Sequence, residues 1–90
     1  MHNLIDEFLN YIIVEKGLSK NSVEAYSRDL IKFHSFLKGR GKELIKAGRE
    51  DIVFFITHLR EGGLSSRSTA RNMVAVRMFY KFLKSEKSLA

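Results

Sequence analysis

Gly17-Leu18-Ser19-Lys20-Asn21-Ser22 and Gly63-Leu64-Ser65-Ser66-Arg67-Ser68 are the two stretches on which the fold turns. Each runs glycine, leucine, serine, with a second serine three places after the first. A glycine tolerates the left-handed conformation found just past a helix end. A serine hydroxyl can accept from the backbone N–H three residues on and so start the next helix. The second stretch follows the first by 46 positions. At the same offset Phe33-His34-Ser35-Phe36-Leu37 matches Phe79-Tyr80-Lys81-Phe82-Leu83, and Phe8-Leu9 matches Phe54-Phe55. Chance accounts for the first match alone, but three matches in one register point to two helical hairpins, each with a serine-capped second helix; a shared capping solution is the plainer alternative.

Working outward, the glycines at 17, 39, 41, 48, 62 and 63 divide a proline-free chain into four helical stretches. Residues 3–16 place Leu4, Ile5, Phe8, Leu9, Ile12 and Ile13 on one stripe. Residues 19–38 carry Val23, Tyr26, Leu30, Phe33 and Leu37 at three- and four-residue steps. Residues 39–48 read as a loop held by Leu44 and Ile45. Residues 49–61 turn Ile52, Phe55, Ile56 and Leu59 inward, and residues 66–84 do the same with Thr69, Met73, Val76, Tyr80 and Leu83. No segment alternates with period two, so the expected fold is all-α, a single four-helix domain.

Ninety residues suit one domain, and 44% hydrophobic content with seven phenylalanines and three tyrosines is enough for a core. The absence of cysteine excludes disulfides and thiolate metal sites, and suits a cytoplasmic protein. No apolar run approaches the roughly 18 residues needed to cross a membrane. Asp6 and Glu7 break the early apolar stretch that a signal peptide would need.

The formal charge is +6, which favours a polyanionic partner. Its distribution is more informative than its size. On a helical wheel Arg67, Arg71, Arg77, Lys81 and Lys84 fall opposite the expected inner face of the fourth helix, and no acidic residue lies between Leu64 and Lys84. A solvated face ordinarily mixes signs. Lys20, Asn21, Arg28 and Lys32 project from the second helix, with Glu24 beside them and Asp29 further round. Ser19, Ser22, Ser65, Ser66 and Ser68 stand at the two helix starts, where free N–H groups and the positive dipole end favour phosphate. Asn21, Arg67, Arg71 and Asn72 are candidates for base edges, since Arg pairs with guanine and Asn with adenine. Val74 and Met78 interrupt the basic arc, with Phe82 at its edge; thymine methyl contact, packing on a further helix and plain exposure all remain open.

No catalytic set emerges. His2, His34 and His58 are far apart without ligand spacing, and no serine sits in a nucleophile turn. Tyr26 and Tyr80 belong to inner faces, with Tyr11 beside its stripe. No cofactor, metal or small-molecule substrate is expected.

Gly17-Leu18-Ser19-x-x-Ser22-x-x-x-Tyr26-x-x-Asp29-Leu30-x-x-Phe33 resembles the first signature of the N-terminal core-binding, SAM-like domain of tyrosine recombinases of the phage-integrase and Xer type. Leu64-Ser65-Ser66-Arg67-Ser68-Thr69-Ala70-Arg71, followed by Ala75-Val76-Arg77-x-Phe79-Tyr80-x-Phe82-Leu83, resembles the second. Ser22 stands where threonine is common, and Val74 where a small polar residue is usual. The resemblance covers essentially the whole chain. It implies two crossed hairpins forming half of a clamp on double-stranded DNA, with the second and fourth helices toward the major groove. It also implies contact with other recombinase protomers, and a catalytic domain that these 90 residues do not contain. The alternatives are an oligomerising protein-interaction module and a helix-turn-helix regulator with its recognition helix in residues 59–71.

Overall fold

Apolar periodicity becomes four helices in the computed structural model, which describes residues 4–86. The expected helix start at residue 3, and His2, lie outside the described residues. The helices are α1 (Leu4–Val14), α2 (Lys20–Gly39), α3 (Arg49–Glu61) and α4 (Ser66–Glu86). Among the described residues there is no strand.

The two quoted stretches are the hairpin turns. Gly17 and Gly63 have φ of +63° and +87°, conformations strained for a side chain bearing a Cβ. That reversal lets Leu18 N–H reach Ile12 O at 3.2 Å and Leu64 N–H reach Leu59 O at 3.1 Å. Ser19 Oγ then accepts from Ser22 N–H, and Ser65 Oγ from Ser68 N–H, each at 3.2 Å. The start of α3 is satisfied differently: Asp51 Oδ2 reaches back to the Gly48 N–H at 2.9 Å.

The hairpins cross through α2 and α4, and the aromatic core shows that they do so with approximate two-fold symmetry. Phe8 of α1 packs against Phe79 and Phe82 of α4, both at 5.6 Å between ring centroids. In the same way Phe55 of α3 packs against Phe33 and Phe36 of α2, at 5.0 and 5.4 Å. Even the flanking contacts repeat, Tyr11 on Phe82 at 4.9 Å and His58 on Phe36 at 5.2 Å. Each hairpin's first helix therefore rests on the second helix of the other.

This symmetry corrects the expected repeat. Phe8 is fully buried while Phe54, its expected counterpart, is 43% exposed; the true counterpart is Phe55. The offset is 47 in the first helices and 46 in the second because the α1–α2 turn holds one more residue than the α3–α4 turn. Phe54 instead lies under the Arg40 guanidinium, 4.7 Å from its ring centroid.

Other expectations shift by a helical step. Ile13 is exposed rather than inward. Residues 39–48 contain a single 3₁₀ turn, Leu44–Lys46, in which Leu44 is buried and Ile45 is exposed. The turn is tied down by Tyr80, whose hydroxyl donates to Leu44 O at 2.6 Å, and by Lys42 Nζ, 3.1 Å from Asp51 Oδ2. In α4 the buried side is Thr69, Asn72, Ala75, Val76, Phe79, Phe82 and Leu83. It is centred about 60° round the helix from the expected stripe. Met73 and Tyr80 are only half-buried at its edge, and Phe82 belongs to the core rather than to the basic arc.

Candidate nucleic-acid interface

α2 and α4 are in direct contact, and each keeps a side exposed. Helical period places Asn21, Arg28 and Lys32 on one exposed stripe of α2, with Glu24 and Ile31 next to it. On α4 the exposed stripe is Arg67, Ala70, Val74, Arg77 and Lys81. Lys20, Ser19, Ser65 and Ser66 are exposed at the two helix starts, while Ser22 and Ser68 are half-buried beneath them. Both first turns lack an acidic residue. The positive ends of the two dipoles are thus not offset locally.

Where the helices touch, Asp29 of α2 meets Arg71 of α4. Arg71 Nε donates to Asp29 Oδ2 and Nη2 to Oδ1, both at 2.8 Å, a side-on bidentate pair. The carboxylate is 1% exposed and the arginine side chain 39%. The Asp29 hydrogen bonds, and to a smaller extent its charge, hold the Arg71 guanidinium above its ordinary pKa, against the effect of burial.

Two of the base contacts expected from the sequence are therefore altered. Asn72 is fully buried, with Nδ2 donating to Ser68 O at 2.8 Å, so it cannot meet a base edge from this position. Its Oδ1 has no partner among the described residues. Arg71 is at the surface but is neutralised by Asp29, and so is not one of five uncompensated cations. Asp29 is not among the candidates read from the sequence, and the structure shows it buried and paired with Arg71. Its spacing to Phe33 and Phe36, four and seven positions on, puts it on the packed side of α2 and was the available signal.

Arg77, at the edge of the α4 stripe farthest from Arg71, and Lys84 beyond it turn toward α3. They line a groove of about 760 Å³ between α3 and α4, together with Arg49 and Arg60 at its rim and Ile52, Ile56 and Met73 at its floor. Arg49 and Arg60 were not singled out in the sequence because they sit on a different helix. Lys81 lies between the two surfaces on the wheel.

Residues 5–87 match the family described as phage integrase, N-terminal SAM-like domain. The tyrosine recombinase XerD of Pseudomonas aeruginosa is 43% identical over 81 residues, covering 90% of this chain and 27% of that protein. The tyrosine recombinase XerD of Listeria monocytogenes is 43% identical over 86 residues, covering 92% and 29%. That of Staphylococcus epidermidis is 40% identical over 91 residues, covering 100% and 31%. The chain thus spans less than a third of the length of these curated relatives. No solved structure gives a significant match. With the family matched over nearly the whole chain and the two crossed hairpins in place, the chain belongs to the N-terminal SAM-like domain family of phage integrases.

Proposed function

We propose that this chain binds duplex DNA through the joined faces of α2 and α4, as the N-terminal domain of a longer site-specific tyrosine recombinase. The observation that carries the reading is the pairing of two touching helices, each with a serine-capped start, that expose Lys20, Arg28, Lys32, Arg67 and Lys81 along their lengths. Backbone N–H groups at the helix starts and flexible cations along the stripes are the chemistry that phosphates select. The fold supports the arrangement by fixing α2 against α4 through a dense aromatic core, so the two stripes keep their spacing. The recombinase relatives supply the parent: strand-exchange chemistry belongs to the remainder of such a protein, and this domain contributes grip.

The test is an amide chemical-shift titration of the labelled chain with a mixed-sequence duplex at low and moderate salt. Shifts clustered at residues 19–32 and 65–81, weakening steeply with salt, are expected. Silence at both salts, or shifts spread over every lysine, removes the reading.

A second reading, contact with other protomers of the parent recombinase, draws on the groove between α3 and α4. Its floor is apolar and its rim basic.

A further inference from the structure

We propose that Asp29 is a positioning residue that holds Arg71 as a fixed reader of a guanine edge, while the unpaired cations around it act only on phosphates. The inference rests on the DNA-binding reading above and goes beyond it by dividing the labour among the cations.

Three observations lead there. First, the side-on bond to Asp29 uses Nε and one N–H of Nη2. The end-on edge of the guanidinium, one N–H of Nη2 and one of Nη1, takes no partner among the described residues. Those two parallel donors match O6 and N7 of guanine in the major groove. Second, the pair is nearly charge-neutral and its carboxylate is buried, which suits it poorly to phosphate neutralisation. A rigid fork fixed at both acceptor oxygens discriminates acceptor geometry, whereas a free arginine pays rotamer entropy to do so.

Third, the two-fold does not repeat the pair. The approximate two-fold relates α2 to α4 at an offset of 46, so the positions equivalent to Asp29 and Arg71 are Ala75 and Ala25. Ala75 is fully buried and Ala25 half-buried, so the two-fold image of the charged pair carries no charge. A buried carboxylate carries a desolvation cost that an apolar pair avoids. Its presence on the side bearing Arg28, Lys32 and Arg67, and not on the symmetric side, marks it as a feature of the surface rather than of the core.

The experiment compares the wild-type chain, Arg71→Lys and the double variant Asp29→Ala/Arg71→Ala, which copies the alanine pair. Each is taken through selection from a randomised duplex library and a salt titration on the selected duplex, with thermal melting as the check on folding. The wild type is expected to prefer guanine at one position, by roughly five- to 150-fold over other bases. Both variants are expected to melt cooperatively and to lose that preference while the slope of log K against log salt stays unchanged. A preference that survives in Arg71→Lys overturns the inference. So does a slope that falls by about 0.9 in the double variant, the mark of a lost phosphate contact. An unfolded double variant also overturns it, because the pair is then structural. Wild-type binding without any base preference removes this inference alone, whereas no wild-type binding at either salt removes the DNA reading beneath it.

Discussion

Phe8 of α1 meets Phe79 of α4 nearly edge-on, with ring centroids 5.6 Å apart and planes at 83°. Phe55 of α3 meets Phe33 of α2 in the same manner at 5.0 Å, so one contact is the two-fold image of the other. The consequence for stability is unequal for two adjacent phenylalanines. Phe55→Ala removes a fully buried ring and is expected to cost about 3–5 kcal/mol. Phe54→Ala removes a ring that is half-exposed beneath Arg40 and is expected to cost about 1 kcal/mol or less. Urea unfolding of both variants measures the difference; equal losses would contradict the two-fold register.

The hairpin turns depend on glycine where φ is positive. Gly63→Ala is expected to destabilise by about 1–2 kcal/mol, since open space around the Cβ does not relieve the backbone strain. Gly39→Ala, at an ordinary φ within α2, is expected to raise stability by about 0.5–1 kcal/mol. Paired thermal melts report the sign of each.

Asp51 gives the fold an acid limit. The Gly48 N–H bonded to its carboxylate holds its pKa below the ordinary value, and Lys42 and Arg40 act in the same direction against burial. Stability from this group is therefore present above about pH 4 and lost as pH falls through the lower folded-state pKa. Asp51→Asn is expected to cost about 1–2 kcal/mol at pH 7 and to flatten the acid limb of a plot of melting temperature against pH. An acid limb unchanged by the substitution would assign the loss to other carboxylates.

Tyr80 gives an alkaline limit by the opposite sign. Burial raises its pKa well above that of a free tyrosine, and the Asp51 charge adds to the shift. Its contribution is complete below about pH 10 and is lost as pH rises toward the folded-state value. Tyr80→Phe removes the hydrogen bond to Leu44 O and is expected to cost about 1–2 kcal/mol at pH 7. It is also expected to remove part of the fall in melting temperature above pH 10, which a melt series from pH 8 to 11 on the order of half-unit steps would detect.

Arg67→Ala is expected to reduce the salt slope of duplex binding by about 0.9, as one phosphate contact is lost. Lys46→Ala is the matched control, because Lys46 sits in the 3₁₀ turn beside Glu43, away from both stripes. Fluorescence anisotropy over a salt series reads both slopes. A control that falls as far as Arg67→Ala would indicate attraction to overall charge rather than to a face.

The sequence by itself determined the four helices and their pairing into hairpins. Glycine conformation, serine caps and apolar period are local properties, and Gly17-Leu18-Ser19 and Gly63-Leu64-Ser65 act before any distant residue is met. It also determined that α4 would carry cations without acids among them. The tertiary structure alone decided which way α4 is rotated. Helical period fixes the angle between Arg67 and Arg77 on their own helix, but only the other helices fix that helix's phase. α4 packs on α2 and α1 and also on α3, so its buried arc is wider than one stripe and takes in Asn72 and Phe82. The same crossing brought Asp29 to Arg71 across 42 residues of sequence, a meeting that depends on where two hairpins cross and that no local spacing on either helix contains.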